Sequence, residues 1–520
     1  MKKTIKILIF LLILTLLITA CSKGSDKVDT SGDVSQGEGQ SVSTKNNLVV
    51  AMASEPSTLD GNGKDDSASV QVKTQIYEGL VTKEANMEVL PLLAESWEYE
   101  DDTTIIFKIR QGVKFHDGTE LKASDVKFSL ERAYEMGFAA ANLSAIDFEK
   151  CEVIDDYTYK MVLKHPFAPI ISNLAASSAV IVPQKVVEEK GEDYLSNNPI
   201  GTGPYKLKEW IQGDRIELVK NEDYWGEVQG VDTITMRFIS EAANRAIEVE
   251  VGGVDIAYDI SANDIERLEE NPDVEALRNM GLSTTYIGFN CQKEPFTDKK
   301  VRQAVAHALD IENIVKTVYF GTGTPGRNVL APTVWGFSEK VKPLEYNPEK
   351  SKSLLKEAGY GDGFKTTIWV SDNQQRIDIA EIVQNQLRAV GIECEVKILE
   401  WGTFLEALEK KELDIYILGN SVTSGDGDEL YYQFHSESNY SGNTAYYRNP
   451  EVDALIEESR SLIYDEERAK KLEEIQMLVI EEAPWIPVWH GEVVVGIRNN
   501  VKGFEIHPTG NHRLFNVYFE

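Results

Sequence analysis

Between Lys6 and Thr19 the chain runs Ile-Leu-Ile-Phe-Leu-Leu-Ile-Leu-Thr-Leu-Leu-Ile, twelve residues with Thr15 as the interruption. That length constrains everything after it. A membrane-spanning helix needs about 20 apolar residues, whereas the apolar part of an export signal needs roughly 7–15. Lys2, Lys3 and Lys6 supply the positive segment that precedes such a signal. The run therefore reads as an address, and the rest of the chain is expected to fold in water on the far side of a membrane. Of the 520 residues, 42% are hydrophobic and 27% charged. This is ordinary globular composition, with enough apolar side chains for several cores.

The run ends Ile18-Thr19-Ala20-Cys21: a branched apolar residue, two small ones and a cysteine. That is the pattern of the bacterial lipoprotein box, in which small residues enter a peptidase and the thiol takes a diacylglycerol. Residues 1–20 are thus expected to be a signal peptide and Cys21 a lipidated N-terminus. Each buried methylene contributes about 0.8 kcal/mol, so two or three acyl chains hold firmly. Residues 22–47 are rich in Ser, Gly, Asp, Gln and Lys with almost no bulky side chain. They cannot bury enough surface to offset the entropy of ordering, so 21–47 reads as a lipidated flexible tether. The formal charge is −32. That balance argues against nucleic acid and against adsorption to anionic lipid. The four cysteines, Cys21, Cys151, Cys291 and Cys394, include no CxxC pair, which excludes zinc ribbons and thioredoxin-type redox sites.

In the body, strands are expected at Leu48–Met52, Thr104–Arg110, Tyr157–Leu163, Arg215–Val219 and Thr233–Ile239. Ser124-Asp125 is expected to cap a helix reaching Tyr134, and Thr297-Asp298 one carrying Val301, Ala304, Val305, Ala308 and Leu309. A helix over Ile377–Val390 lies between strands at Lys365–Val370 and Glu393–Ile398. That is a β-α-β unit, the normal construction of a parallel sheet. Asn449-Pro450 and Asp465 open two more helices. The body is α/β in more than one lobe.

Motifs that look chemical have plainer readings. Gly321-Thr-Gly-Thr-Pro-Gly326 fits GxGxxG as text, but follows a helical segment and contains Pro325, so it reads as a turn. His116-Asp117-Gly118 is also a turn. The seven histidines form no HExxH and no close pair. Asp426-Gly-Asp-Glu429 lacks the ligand order of a calcium loop. No serine stands in GxSxG. Nothing points to catalysis, a cofactor or a protein-bound metal.

Several segments together resemble the family 5 bacterial extracellular solute-binding proteins, the peptide-type receptors of ATP-driven (ABC) importers. They are Leu90-Pro-Leu-Leu-Ala-Glu-Ser-Trp97 with Gly112-Val-Lys-Phe-His-Asp-Gly118 and Ala123-Ser-Asp-Val-Lys-Phe-Ser129; Gly201-Thr-Gly-Pro-Tyr205 with Asn221-Glu-Asp-Tyr-Trp225; Val301-Arg-Gln-Ala-Val-Ala-His-Ala-Leu309; and Val501-Lys-Gly-Phe504 with His507-Pro-Thr-Gly510. They occur in family order over roughly residues 48–520. The resemblance implies a periplasmic-binding-protein type II-like α/β fold, with two main lobes, a hinge and a third insert lobe. Lobe I would hold 48–83, 197–284 and 491–520; the insert 84–196; and lobe III 285–490. Ligand would be enclosed by hinge closure, with chain crossings near 284 and 490.

In the dipeptide branch an aspartate shortly after Gly-Trp grips the ligand's amine. The positions that match here are Asn420 and Thr423, so that anchor is missing. Thr423-Ser424-Gly-Asp426-Gly-Asp428 looks more like the glutathione-receptor branch, and Asp426 or Asp428 is left as an amine partner. Thr284 and Tyr286 begin the hinge-proximal strand, and Ser57-Thr58 and Gly201-Thr-Gly203 are loops that the family puts at the cleft. Arg376 is a candidate fork for a ligand carboxylate, and Trp401 a flat apolar wall. The expected protein is a non-enzymatic monomer, lipid-anchored on the outer face of the bacterial cell membrane. It would pass short peptides, glutathione-like ones included, to permease subunits. A receptor for nickel or another metal chelate is the alternative within the fold; a surface peptidase and an adhesion or chaperone protein are the rivals outside it.

Overall fold

The computed structural model describes residues 46–520 except 423, 440 and 464. Cys21 and residues 22–45 of the expected tether lie outside the described residues; Asn47, placed above at the end of the tether, instead opens the strand Asn47–Met52, where it pairs with Thr233. Among those described, no helix is long and apolar enough to cross a membrane.

The main sheet is mixed. Its strands run in the order Ile392–Leu399, Phe364–Ser371, Ile415–Ser421, Val274–Phe289, Trp485–Arg498, Ile256–Ala257, Asn47–Met52, Thr233–Phe238, Arg215–Lys220 and Tyr205–Ile211. The expected β-α-β unit is present: 364–371 and 392–399 pair in parallel, joined by the helix Gln374–Arg388. Asp298 and Asn449 cap their helices through Lys300 N–H and Glu451 N–H. One start differs from expectation. The helix Ala123–Glu135 has Lys122 at its cap, and the Asp125 carboxylate reaches back to the Lys122 N–H at 2.9 Å. Asp125 thus acts from the third helical position, where it satisfies an otherwise orphaned donor.

Two strands dominate the sheet. Val274–Phe289 has 16 residues and Trp485–Arg498 has 14, and they pair antiparallel along nearly their whole length. Their register slips between Met280 and Thr284 and again between Thr285 and Tyr286. Such irregularities bend a strand pair and increase its twist. Gly491 sits opposite the first slip, where an added Cβ would collide with the Ser283 hydroxyl.

The apolar side chains form several separate cores. One lies among residues 80–181 around a four-stranded sheet, with Phe107, Leu130 and Tyr159 at its centre. A second gathers Leu48, Val50, Tyr205, Ile234 and Leu514. Two more sit on opposite faces of the strands at 286–289 and 415–418: Tyr286, Tyr416, Leu418 and Trp485 on one face, Ile287, Phe289, Ile415 and Ile417 on the other. Met87 departs from its neighbours. It stands at φ 64 at the tip of the hairpin 81–91 and packs with Leu282, Val422 and Leu430 rather than with the 80–181 core.

Candidate functional site

Side chains of a strand alternate between faces, and directly paired residues share a face. Thr284 pairs with Asn420, and Thr285 with Gly419. These two rungs separate two environments at one end of the sheet.

On the first face, Thr284 is buried and its hydroxyl lies 3.0 Å from His490 Nδ1. Burial pushes His490 down to about 4, so the ring is neutral near pH 7. Tyr286 is 1% exposed, stacks on Trp485 at 3.6 Å and shares a 3.0 Å hydrogen bond with Thr444. Both expected ligand contacts are committed to the interior. Asn420 hydrogen-bonds the Glu429 carboxyl, which burial raises to about 7.

The acidic loop beside them is internally neutralised. Both Asp426 oxygens take Nη groups of Arg468, and Oδ1 also accepts the Asp428 N–H at 2.8 Å. Burial pushes Asp426 upward, but the Arg468 charge and hydrogen bonds outweigh it and hold the carboxyl below its ordinary value. Asp428 lies 2.9 Å from Arg460, yet burial still raises it to about 6. Asp426, offered above as an amine partner, is therefore already in a buried two-pronged ion pair. Lys83 Nζ donates to the carbonyls of Ser424 and, at 3.0 Å, of Ser172. Burial lowers Lys83 to about 8 against the attraction of Asp426. Ser424 further accepts the Asp426 N–H at 3.3 Å. Thr423 lies outside the described residues.

Ser57 and Thr58 shape a loop. The Ser57 hydroxyl bonds Asp66, the capping residue of the helix Ser67–Ile76, and Thr58 Oγ1 accepts the Asp60 N–H at 3.1 Å. Asp60 in turn holds Arg132 through two bonds of 2.8 and 2.7 Å.

The second face opens on a cleft of about 840 Å³. Thr285, Tyr319, Phe320, Arg376 and Trp489 border it, together with Ile260–Asn263. Asn373 caps the helix 374–388 by accepting the Arg376 N–H, which fixes where the arginine leaves the backbone. Arg376 Nη1 donates to Ser371 Oγ at 3.0 Å, and the guanidinium lies 5.6 Å from the Trp401 ring centre. Trp401 is 43% exposed and stacks on Phe404. Burial lowers the Arg376 pKa, against the influence of Tyr319 and Tyr286. Among the described residues, no carboxylate lies within ion-pair distance of this guanidinium. Arg132, Arg302, Arg460 and Arg468 each have one, whereas buried Arg245 also has none and instead donates to the carbonyls of Ile239, Ser240, Tyr258 and Asp259. Arg376 differs from Arg245 in bordering the cleft.

Of the residues expected at a ligand site, Arg376 borders this cleft and Trp401 supports Arg376 from beside it; Thr284, Tyr286 and Asn420 lie on the opposite face. Thr285, Tyr319, Phe320 and Trp489, which border the cleft, were not among the expected residues. Strand parity carried part of the signal, because choosing 284 and 286 necessarily selects the other face from 285. Tyr319-Phe320 stands immediately before the glycine-rich turn and carried the rest. Among the described residues, no group of three or more His, Cys, Asp or Glu side chains converges to hold a metal.

Residues 88–442 match the model of the bacterial extracellular solute-binding proteins, family 5 middle. The chain is 31% identical to heme-binding protein A of Haemophilus influenzae, over 97% of both chains. It is also 31% identical to the glutathione-binding protein GsiB of Salmonella typhi, over 89% of this chain and 92% of that one. In structure it resembles the periplasmic binding protein DppA of Helicobacter pylori, solved in complex with the peptide STSA. The TM-score is 0.74 and the identity 28%, covering 91% of this chain and 98% of that one.

Proposed function

The chain belongs to the family 5 bacterial extracellular solute-binding proteins, and from that premise we propose that it is a lipid-anchored receptor that captures short peptides, glutathione-like ones included, for an ABC importer. The fold is that of the type II periplasmic binding proteins, and proteins of this family serve as extracytoplasmic receptors. The observation that carries the ligand reading is Arg376, a desolvated cation beside an open cleft with no acidic partner among the described residues. A half-buried charge carries part of the desolvation cost of a buried one, so the arrangement suits a partner that arrives with the ligand. A peptide's terminal carboxylate matches the guanidinium fork. The neutralised Asp426 supports a receptor that depends on a carboxylate more than on a free amine.

Residues 48–83, 197–284 and 491–520 would form one main lobe, 285–490 the other, and 84–196 the insert. The slipped register around Gly491 suits a bending point between the main lobes. In the closed form, Lys83 at the end of the first main lobe would hold Ser424, and Met87 of the insert would pack with Val422 and Leu430. Cys21, after Ile18-Thr19-Ala20, would carry the lipid that keeps this body at the membrane.

The test is to purify the intact protein natively, denature it and identify the released small molecules by mass spectrometry. A short peptide bearing a free carboxylate is expected. Repeated recovery of a metal chelate or heme in place of peptides would overturn the reading.

A further inference from the structure

We propose that the cleft beside Arg376 contains a subsite for a flat apolar group, so that among carboxylate-bearing peptides it selects those whose C-terminal side chain is aromatic. The inference rests on the peptide-receptor reading and adds the ligand chemistry next to the carboxylate.

Phe320 is 70% exposed, the most exposed large aromatic side chain among the described residues. A single exposed apolar side chain is unremarkable on a convex surface. This one lines a concave cleft that it shares with Arg376. It also sits in a backbone conformation that non-glycine residues rarely adopt, with φ 52. Such strain persists only where the surroundings over-determine it, and it concentrates at ligand-binding positions.

The surroundings here do fix it. Gly321 and Gly323 follow with φ 80 and 68. The Trp489 indole N–H donates to the Thr322 carbonyl at 2.6 Å. A Cβ at Gly323 would collide with the Trp489 ring and the His490 carbonyl. The loop is therefore pinned to the long strand Trp485–Arg498, and the Phe320 ring is held out by a rigid support.

Behind it, Tyr319 and Trp489 stack with centroids 4.0 Å apart and planes 4° apart, and the Tyr319 hydroxyl reaches Thr285 at 3.4 Å. Ile260, Val318 and Val494 add aliphatic surface to the same cleft. A ligand with its carboxylate on Arg376 would thus lie in a cleft lined by both the aromatic loop and aliphatic side chains. Aromatic rings gain from offset or edge-on contact in addition to burial. Asp372 and Asp378 border the cleft as well. Their charges disfavour a second ligand carboxylate there and leave an apolar group unaffected.

The experiment is calorimetry on the intact chain with two tripeptides, Ala-Ala-Phe and Ala-Ala-Ala, using wild type, Phe320→Ser, Phe320→Leu and Arg376→Gln. The phenylalanine peptide is expected to bind wild type about tenfold more tightly, from partial burial of one ring. Phe320→Ser should reduce that ratio to about threefold or less. Phe320→Leu keeps apolar volume without the ring, should give an intermediate ratio, and serves if the serine variant does not fold. Equal affinities for the two peptides in wild type, with Arg376→Gln weakening both, would overturn the subsite and leave the peptide reading standing. Binding of neither peptide by wild type would overturn both. A ratio that survives both Phe320 changes would also overturn the subsite.

Discussion

Two arginines near one end of the main sheet have opposite circumstances. Arg468 is buried with Asp426, in a pair closed by two hydrogen bonds and a further contact over the Trp335 ring at 4.6 Å. Arg376 is held by Ser371 and lies near Trp401, without a carboxylate among the described residues. Both belong to a chain with 85 acidic residues against 53 basic ones. In so acidic a protein, acids are plentiful, and an arginine that borders a cleft without an ion-pair partner and without the ring of backbone carbonyls that satisfies buried Arg245 is the informative one. The comparison separates charge that holds the fold from charge available to a ligand.

The largest expected effect is on stability. Arg468→Met leaves Asp426 buried without its partner and should lower unfolding stability by about 3–5 kcal/mol. Arg376→Gln, which breaks no ion pair, should change stability by less than about 1 kcal/mol. Urea titrations of both variants test the contrast. Equal losses would mean that Arg376 is as structural as Arg468.

A smaller effect concerns pH and the neighbouring cation. Lys83 sits at about 8, below its ordinary 10.5, because it is buried. Between those values the unfolded chain binds more protons than the folded one. The penalty for burying Lys83 is therefore fully present below pH 8 and is relieved as pH rises toward 10.5. The stability of wild type minus that of Lys83→Met should rise by about 2 kcal/mol from pH 7 to pH 9.5. The difference between variants removes the titration of tyrosines common to both. A flat or falling difference would show that the ammonium is satisfied by Asp426 despite its burial.

The sequence made the elements more legible than the site. The β-α-β unit at 364–399 follows from hydrophobic period and length, which local residues dictate, and the caps at Asp298 and Asn449 follow from side-chain chemistry. The position of Arg376 was legible because a cap sequence, Asp372-Asn373-Gln-Gln-Arg376, sets where a helix begins after a strand; its role toward a ligand remains a proposal. The fate of Asp426 was not, since its partner Arg468 is 42 residues away and only the tertiary fold joins them. The same limit hid Lys83, whose bond to Ser424 spans 341 residues. Thr284 and Tyr286 lie on the face of their strand opposite the cleft that Thr285 borders, since a shift of one residue moves a side chain to the other face.

The most direct measurement compares a tripeptide that binds with its C-amidated and N-acetylated forms by calorimetry, on wild type and on Arg376→Gln. Loss of a charge-assisted hydrogen bond in a dry site costs about 1.5–3 kcal/mol, roughly 10- to 150-fold in affinity. Amidation and Arg376→Gln should each weaken binding by that range and should not add when combined, since they remove the same contact. Acetylation should have the smaller effect. Binding abolished by acetylation and untouched by both amidation and Arg376→Gln would contradict the account, and would return the amine anchor to the acidic loop at Asp426 and Asp428.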